Sequence, residues 1–259
     1  MNSDRIPLIV LMTDFGNDAF TGIMKGRILQ INPFVNIISL TNHIQNHNIR
    51  QGAFILMKSY KYFPVNTIFL IVVDPGVGGA RKAIGVQTEK YYFIGPDNGI
   101  LAPIIENIKD VMIVELPIFK EVSHTFHGRD VFAPAAAKLS QTYLLMELGP
   151  PSILQVPLRF LWDSGTSTGE VIYIDHFGNI ITNVPSSLNL KHDAECRVST
   201  NRTNLNVCFK KSYVEGSTDK PFLIVNSYET MEIALRNGKA SELLDITPGD
   251  RIQITPVNK

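Results

Sequence analysis

"TIFLIVVDPGVGGAR", residues 67–81, is the stretch on which the fold turns. The unbroken apolar run IFLIVV is what a strand buried on both faces looks like. It leads straight into Asp74, a proline and three glycines, and the loop closes on Arg81, seven residues after the aspartate. A loop so rich in glycine is not helical. It can be a phosphate cradle, a bare turn, or a catalytic loop holding a charged pair. A Walker loop needs four residues between its glycines and then Lys-Ser or Lys-Thr. GVGGARK at 76–82 does not have that spacing.

Outward from this strand, the chain alternates strand-like and helix-like segments. PLIVLMTD (7–14) and VNIISL (35–40) read as further buried strands. TGIMKGRILQINP (21–33) places Ile23, Met24, Ile28 and Leu29 on one helical face before Pro33, and NIRQGAFILMKSYKYFP (48–64) is a second helix ending at proline. AIGVQTEKYYFIGPDNGIL (83–101) reads as a hairpin-like pair, and RDVFAPAAAKLSQ (129–141) as a helix despite Pro134. The alternation predicts an α/β domain with a largely parallel sheet over residues 1–157. LRFLWDSGTSTGE (158–170) reads as a linker, taken as 158–169. Short strands follow: VIYIDHF, NIITNV, ECRVST, LNVCFKKSYV, PFLIVNS and RIQITPV, with only IALRNGKASELL (233–244) offering much helix. Residues 170–259 are therefore expected to form a small all-β, barrel-like domain.

The 259 residues suffice for one large domain or two smaller ones, and 44% hydrophobic with 19% charged residues is ordinary for a soluble protein. Lys plus Arg and Asp plus Glu balance at 24 each, which suggests neither a nucleic-acid nor an anionic-membrane partner. IPLIVLM (6–12) is too short for a membrane span or a signal peptide, so a cytoplasmic protein is expected. Cys196 and Cys208 then read as free thiols.

Ligands of parallel α/β sheets bind outside the carboxyl ends of the strands. Asp14 ends the strand PLIVLMT and Asp74 ends IFLIVV, so both belong to one rim, either as site residues or as caps of the turns that follow. No G-x-G-x-x-G opens a helix after the first strand, and no kinase catalytic loop precedes Asp14-Phe15-Gly16. His43 and His47 are spaced i, i+4 without the HExxH glutamate or a third ligand, so no metal and no cofactor are expected. Asp97-Asn98-Gly99 reads as a turn between strands. His127, in SHTFHGRD (123–130), becomes a catalytic candidate if Asp74 and Arg81 lie beside it.

TDFG (13–16), VVDPGVGGAR (72–81), GPDNG (95–99), HTFHGRDVFAPAAA (124–137) and IDHFGNIITN (174–183) occur in this order along the chain. Together they resemble the S-adenosyl-L-methionine hydrolases, or SAM hydroxide adenosyltransferases, relatives of fluorinase and chlorinase. The resemblance implies an N-terminal α/β domain, a C-terminal β-barrel, and homotrimers whose ligand lies between one subunit's first domain and its neighbour's second. It implies cleavage of S-adenosylmethionine by water to adenosine and L-methionine, with Asp74, Arg81 and His127 as the catalytic set. It assigns Asp175 to the methionine ammonium, Phe177 to the adenine face and Asn179 to the adenine edge. The segment 226–238, with Ser227, Tyr228, Arg236 and Gly238, resembles the one that holds the methionine carboxylate and adenine N6, although Glu229 stands where the halogenases have arginine. Asp14 suits the ribose diol, since one carboxylate can accept from both hydroxyls.

The halogenase branch carries tyrosine at Asp74, threonine at Val77 and serine at Gly128. Here Val77 and Gly128 lack the threonine and serine hydroxyls, and Asp74 brings a carboxylate, which repels an anion in a dry pocket, beside the place a halide would occupy. The other competing readings are a non-catalytic protein that binds adenosine or S-adenosylmethionine, which would not need the Asp–Arg–His set, and a metal-dependent phosphohydrolase, which would need ligands beyond the two histidines.

Overall fold

The computed structural model describes residues 6–106, 108–188 and 190–257. The chain divides between Arg159 and Phe160 into two units.

In the first unit, strands β1 (Leu8–Thr13), β2 (Asn36–Thr41), β3 (Ile68–Val72), β4 (Ala83–Gln87), β5 (Tyr92–Pro96) and β6 (Met112–Glu115) form one sheet in the order β2-β1-β3-β5-β4-β6. The pairs β1–β2, β1–β3 and β3–β5 are parallel, and β4 runs antiparallel to both β5 and β6. Helix α1 (Phe20–Ile31) carries the chain from β1 outward to β2, and α2 (Ile49–Ser59) returns it to β3 on the other side of β1. The order therefore reverses between β1 and β3, which is where a doubly wound sheet opens a crevice at its carboxyl edge. Met24 and Ile28 of α1 and Ala136 and Leu139 of helix α4 (Ala133–Thr142) share a core with Ile9, Leu11, Leu70 and Val72. On the opposite face α2 lies so close that a Cβ on Gly52 would sit 2.9 Å from Ile100 and 3.6 Å from Met12. A single-turn helix, α3 (Ala102–Ile105), follows β5.

The expected strands and helices are present in this unit, but two expected burials are not. Ile23 and Leu29 of α1 are each 44% exposed, and the helix buries the narrower stripe Thr21, Met24 and Ile28. VNIISL became β2, an edge strand with exposed positions, because nothing pairs beyond it in the sheet. The helix after His127 opens as a π-helical turn over Gly128–Phe132, so Pro134 falls in the first turn of α4, where its missing N–H is tolerated.

The second unit is an antiparallel sheet of β7 (Thr168–Ile174), β8 (Ile180–Pro185), β9 (Glu195–Ser199), β10 (Asn204–Cys208), β11 (Phe222–Val225), β12 (Thr230–Ala234) and β13 (Arg251–Pro256), in the order β10-β9-β13-β7-β8-β12-β11. A bridge between Phe209 and Leu223 brings the two edges together, giving a nearly closed barrel around Val171, Ile180, Val198, Met231, Ile233 and Ile254. Register shifts between Val171 and Tyr173 and between Thr230 and Glu232 interrupt the ladders of β8. Such bulges re-aim side chains. Val171 faces the core while Tyr173, two residues on, lines an outer pocket.

Two expectations are corrected here. Residues 161–168 are not a free linker: Leu161 N–H donates to Glu170 Oε1, Asn183 Nδ2 donates to Leu161 O, and Asp163 bridges to Thr168. Thr168 and Gly169 already belong to β7. IALRNGKASELL supplies only the single turn α5 (Ala240–Leu243), because Ile233 and Ala234 finish β12. Cys196 is buried and Cys208 exposed, both as free thiols. Among the described residues no helix is long and apolar enough to cross a membrane.

Candidate active site

β1 and β3 run side by side with Thr13 opposite Val72, so Asp14 and Asp74 leave the sheet from neighbouring strand ends. Neither caps the element that follows it. Asp14 Oδ2 accepts from the backbone N–H of His47 at 2.9 Å, and α1 starts from Ala19 without a side-chain cap. Asp74 is gripped by Arg81 through two parallel hydrogen bonds, Nε to Oδ1 at 2.9 Å and Nη2 to Oδ2. The glycine-rich loop is a pair of turns, with Val77 N–H donating to Asp74 O and Gly79 N–H to Gly76 O. Those two amides are turned inward to the loop's own carbonyls, and the loop's charged groups, Asp74 and Arg81, are paired with each other.

Arg81 Nη2 also lies 2.8 Å from His127 Nδ1, so the three residues form one connected set. Arginine can only donate, so Nδ1 accepts and the imidazole is neutral with its proton on Nε2. Burial, with the Arg81 guanidinium next in weight, holds the His127 pKa below its ordinary value. His127 is buried, and among the described residues its Nε2 and Arg81 Nη1 have no hydrogen-bond partner. The guanidinium rests over the Phe132 ring, 5.2 Å from its centroid.

The two loops fit closely. Gly78 has φ +75°, and a Cβ there would come 2.3 Å from His124 O. Ser123 N–H donates to Asp130 Oδ2, and Asp130 pairs with Arg129, closing the loop that carries His127. Asp14, Asp74, His127, Val77, Phe126 and Gly128 line a crevice of about 480 Å³ at the sheet's carboxyl edge. Asn98, in the stretch read as a plain turn, donates its side-chain amide to Val73 O and so steadies the end of β3 beside Asp74. Among the described residues no three His, Cys, Asp or Glu side chains are grouped to hold a metal ion; His47 lines the crevice beside Asp14 and His43 is not part of that wall.

The remaining candidates lie together on the outer face of the barrel. Asp175, Phe177, Asn179, Ser227, Tyr228, Arg236 and Gly238 all line one pocket of about 1110 Å³. Asp175 organises the β7–β8 turn: Oδ1 accepts from the N–H groups of Phe177 and Asn179, and Oδ2 from Asn179 Nδ2. Asn179 is left with its amide oxygen for a ligand. Phe177 is 71% exposed at the tip of that turn, its ring 5.7 Å from that of His176 in an edge-on contact. In the β11–β12 turn, Asn226 consumes the N–H groups of Tyr228, Glu229 and Thr230. Glu229 is exposed at φ 58° and is not part of the pocket wall.

Among the pocket residues that sequence reading overlooked are Tyr173, Tyr213 and Glu232. Tyr213 Oη donates to Glu232 Oε1 at 2.8 Å. The signal available beforehand was an acid inside the apolar run TMEIAL, immediately before the stretch 233–244 read as helical.

Comparison with known proteins matches this geometry with a family in both units. The family model described as the SAM hydroxide adenosyltransferase N-terminal domain matches residues 9–149, and that of the C-terminal domain residues 169–253. A protein of Methanocaldococcus jannaschii named (R)-S-adenosyl-L-methionine hydrolase is 34% identical, over 98% of this chain and 98% of its own. A fluorinase of an Actinoplanes species is 25% identical, over 71% of this chain and 74% of its own. The crystal structure of an uncharacterized conserved protein from Thermotoga maritima superposes with a TM-score of 0.88 at 34% identity, covering 95% of this chain and 99% of that one. The chain belongs to the SAM hydroxide adenosyltransferase family.

Proposed function

We propose that the protein hydrolyses S-adenosyl-L-methionine to adenosine and L-methionine, acting on the (R)-sulfonium epimer that its relatives' names specify. The observation that carries this reading is the Asp74–Arg81–His127 set, hydrogen-bonded together beside the crevice. The sulfonium is already an activated leaving group. Water attacks C5′ of the ribose, the C5′–S bond breaks to a neutral thioether, and one proton is released. Charge is cancelled along this path, so a site that excludes water favours it.

The hard part is the nucleophile, because bulk water has a pKa of about 15.7. His127 Nδ1 is occupied by Arg81 and Nε2 carries the proton, so the imidazole serves as a donor that orients the water. Each Asp74 oxygen takes one Arg81 hydrogen bond and retains a lone pair. Asp74 is therefore the proton acceptor, and Arg81 holds it in place and steadies the developing oxyanion. Asp14 takes the ribose diol. In the barrel pocket, Asp175 takes the ammonium, Phe177 the adenine face and Asn179 Oδ1 the adenine amino group, with Ser227, Tyr228, Arg236 and Gly238 completing the wall.

Gly128 bears on the halogenating branch. A Cβ at this position would meet Met24 Sδ at 3.0 Å and the Phe126 ring at 3.1 Å, so a halide-holding serine needs its neighbours to shift. The working unit in this proposal is a homotrimer in the cytoplasm, each site completed by two chains.

The test is to incubate the purified protein with each sulfonium epimer in ¹⁸O-water containing EDTA. Equal adenosine and methionine from the (R) epimer, with label in the 5′-hydroxyl, is the expected result. Adenine or homoserine lactone as the main product, or loss of turnover to EDTA, overturns the reading. Fluoride or chloride should give no 5′-halonucleoside.

A further inference from the structure

Glu232 sits on β12, whose Met231 and Ile233 point into the barrel core while Glu232 lines the pocket on the other side. It is 2% exposed, and its cross-strand neighbours are Ile224 and Ile181. An acid buried among apolar neighbours is costly unless something compensates it. Tyr213 supplies one hydrogen bond. Among the described residues no basic side chain forms an ion pair with Glu232, and its strongest charged neighbour is another acid, Asp175. A glutamine or leucine would fill the space without this penalty. Two carboxylates on one pocket wall point to a cationic ligand group.

Under the proposed function the substrate carries two cations. The sulfonium adjoins the carbon that water attacks, and that chemistry belongs to Asp74 and His127. The ammonium lies at the far end of the amino-acid arm, and Asp175 is already its expected partner. We propose that Glu232 is a specificity-determining residue: its carboxylate, together with that of Asp175, receives the ammonium group of the substrate's amino-acid arm. The inference rests on the proposed function and names a residue for recognition of that arm.

Proton linkage follows. Burial pushes the Glu232 carboxyl up to about 7, with Asp175 adding to the rise and the side chains of Tyr213 and, more weakly, Asn226 opposing it. The other titratable groups around it are Tyr173 and Tyr228, hydrogen-bonded to each other on neighbouring walls, and His176, Arg236 and Lys239 on the pocket's flank. Burial holds the Tyr173 and Tyr213 phenols well above their ordinary range, so neither titrates near neutrality. An ammonium arriving beside a half-protonated carboxyl drives its proton off.

The experiment is calorimetric binding to the intact protein of three unreactive probes: adenosine, 5′-methylthioadenosine and S-adenosylhomocysteine. Only the last carries the ammonium, and none carries a sulfonium. Glu232→Gln keeps the acceptor for Tyr213 and removes the charge. It should weaken S-adenosylhomocysteine roughly ten- to a hundredfold and leave the other two within about twofold. Wild-type affinity for S-adenosylhomocysteine should tighten from pH 6 to pH 8 with proton release, and the variant should show neither. Tyr213→Phe should move the midpoint of that dependence to higher pH. Unchanged binding of S-adenosylhomocysteine by Glu232→Gln overturns the proposal. So does equal weakening of all three probes, which would place the carboxyl against adenine or in a structural role. A wild-type protein that binds none of the three fails the functional reading itself.

Discussion

Arg81 holds two partners with one guanidinium, and each partner's chemistry depends on that grip. Through Nε and Nη2 it fixes Asp74, and through Nη2 it fills the Nδ1 lone pair of His127. Asp74→Asn should therefore lower kcat by about 10²–10⁴ with little change in binding. His127→Gln, which can still accept from Arg81 and donate to water, should retain substantially more activity. Single-turnover rates decide the matter: His127→Gln falling as far as Asp74→Asn would make histidine the base. The acid limb of kcat carries the same information. Protonated His127 cannot accept from Arg81, and its pKa is held down. Activity should thus persist below the ordinary histidine pKa of about 6.5 before it falls, and the limb should be absent in His127→Gln. The seven-residue step from Asp74 to Arg81 was legible because both residues share one loop. The tautomer of His127 was not, since it depends on a contact across 46 residues of chain.

At the scale of elements, two loops are held together at a glycine. Gly78 combines a left-handed backbone, at φ +75°, with a space that His124 O would deny to any side chain. Gly78→Ala should separate the Asp74 loop from the His127 loop and lower kcat at least tenfold. Its thermal midpoint should move much less than its activity; loss of both together would mean that the loop is part of the core instead. The parallel strands of the first unit were readable because continuous apolar runs leave little choice. The short barrel strands were harder. TMEIA alternates core and pocket faces, both buried, so it shows no polar–apolar period to set against a helix. The bulge that turns Tyr173 toward the pocket leaves no mark in the sequence at all, being a matter of register with β8.

At the scale of the whole molecule, the proposed chemistry is divided by chain position. Asp14, Asp74, Arg81 and His127 belong to the first unit, and Asp175, Asn179 and Glu232 to the second. If the working unit is a ring of three chains sharing sites, two inactive variants should complement each other. Asp74→Ala and Asn179→Ala, denatured together and refolded, should regain a fraction of wild-type turnover. Mixed oligomers without recovery would show that each chain completes its own site. Glu232 also reaches beyond its pocket, to the folding equilibrium. Its carboxyl titrates near 4.5 in the unfolded chain and about 7 in the folded one. The native state therefore binds the extra proton across that window, and stability falls as pH rises through it, by roughly 3 kcal/mol in all. Below the window the penalty is absent; above it the full amount is present. In scanning calorimetry Glu232→Gln should melt higher than wild type at pH 8 and alike at pH 5, and identical melting at both would contradict the burial of a charge. A ligand that neutralises this carboxylate stabilises the chain most where the empty chain is weakest, so resistance to heat and proteolysis at alkaline pH would report how much of the protein is occupied.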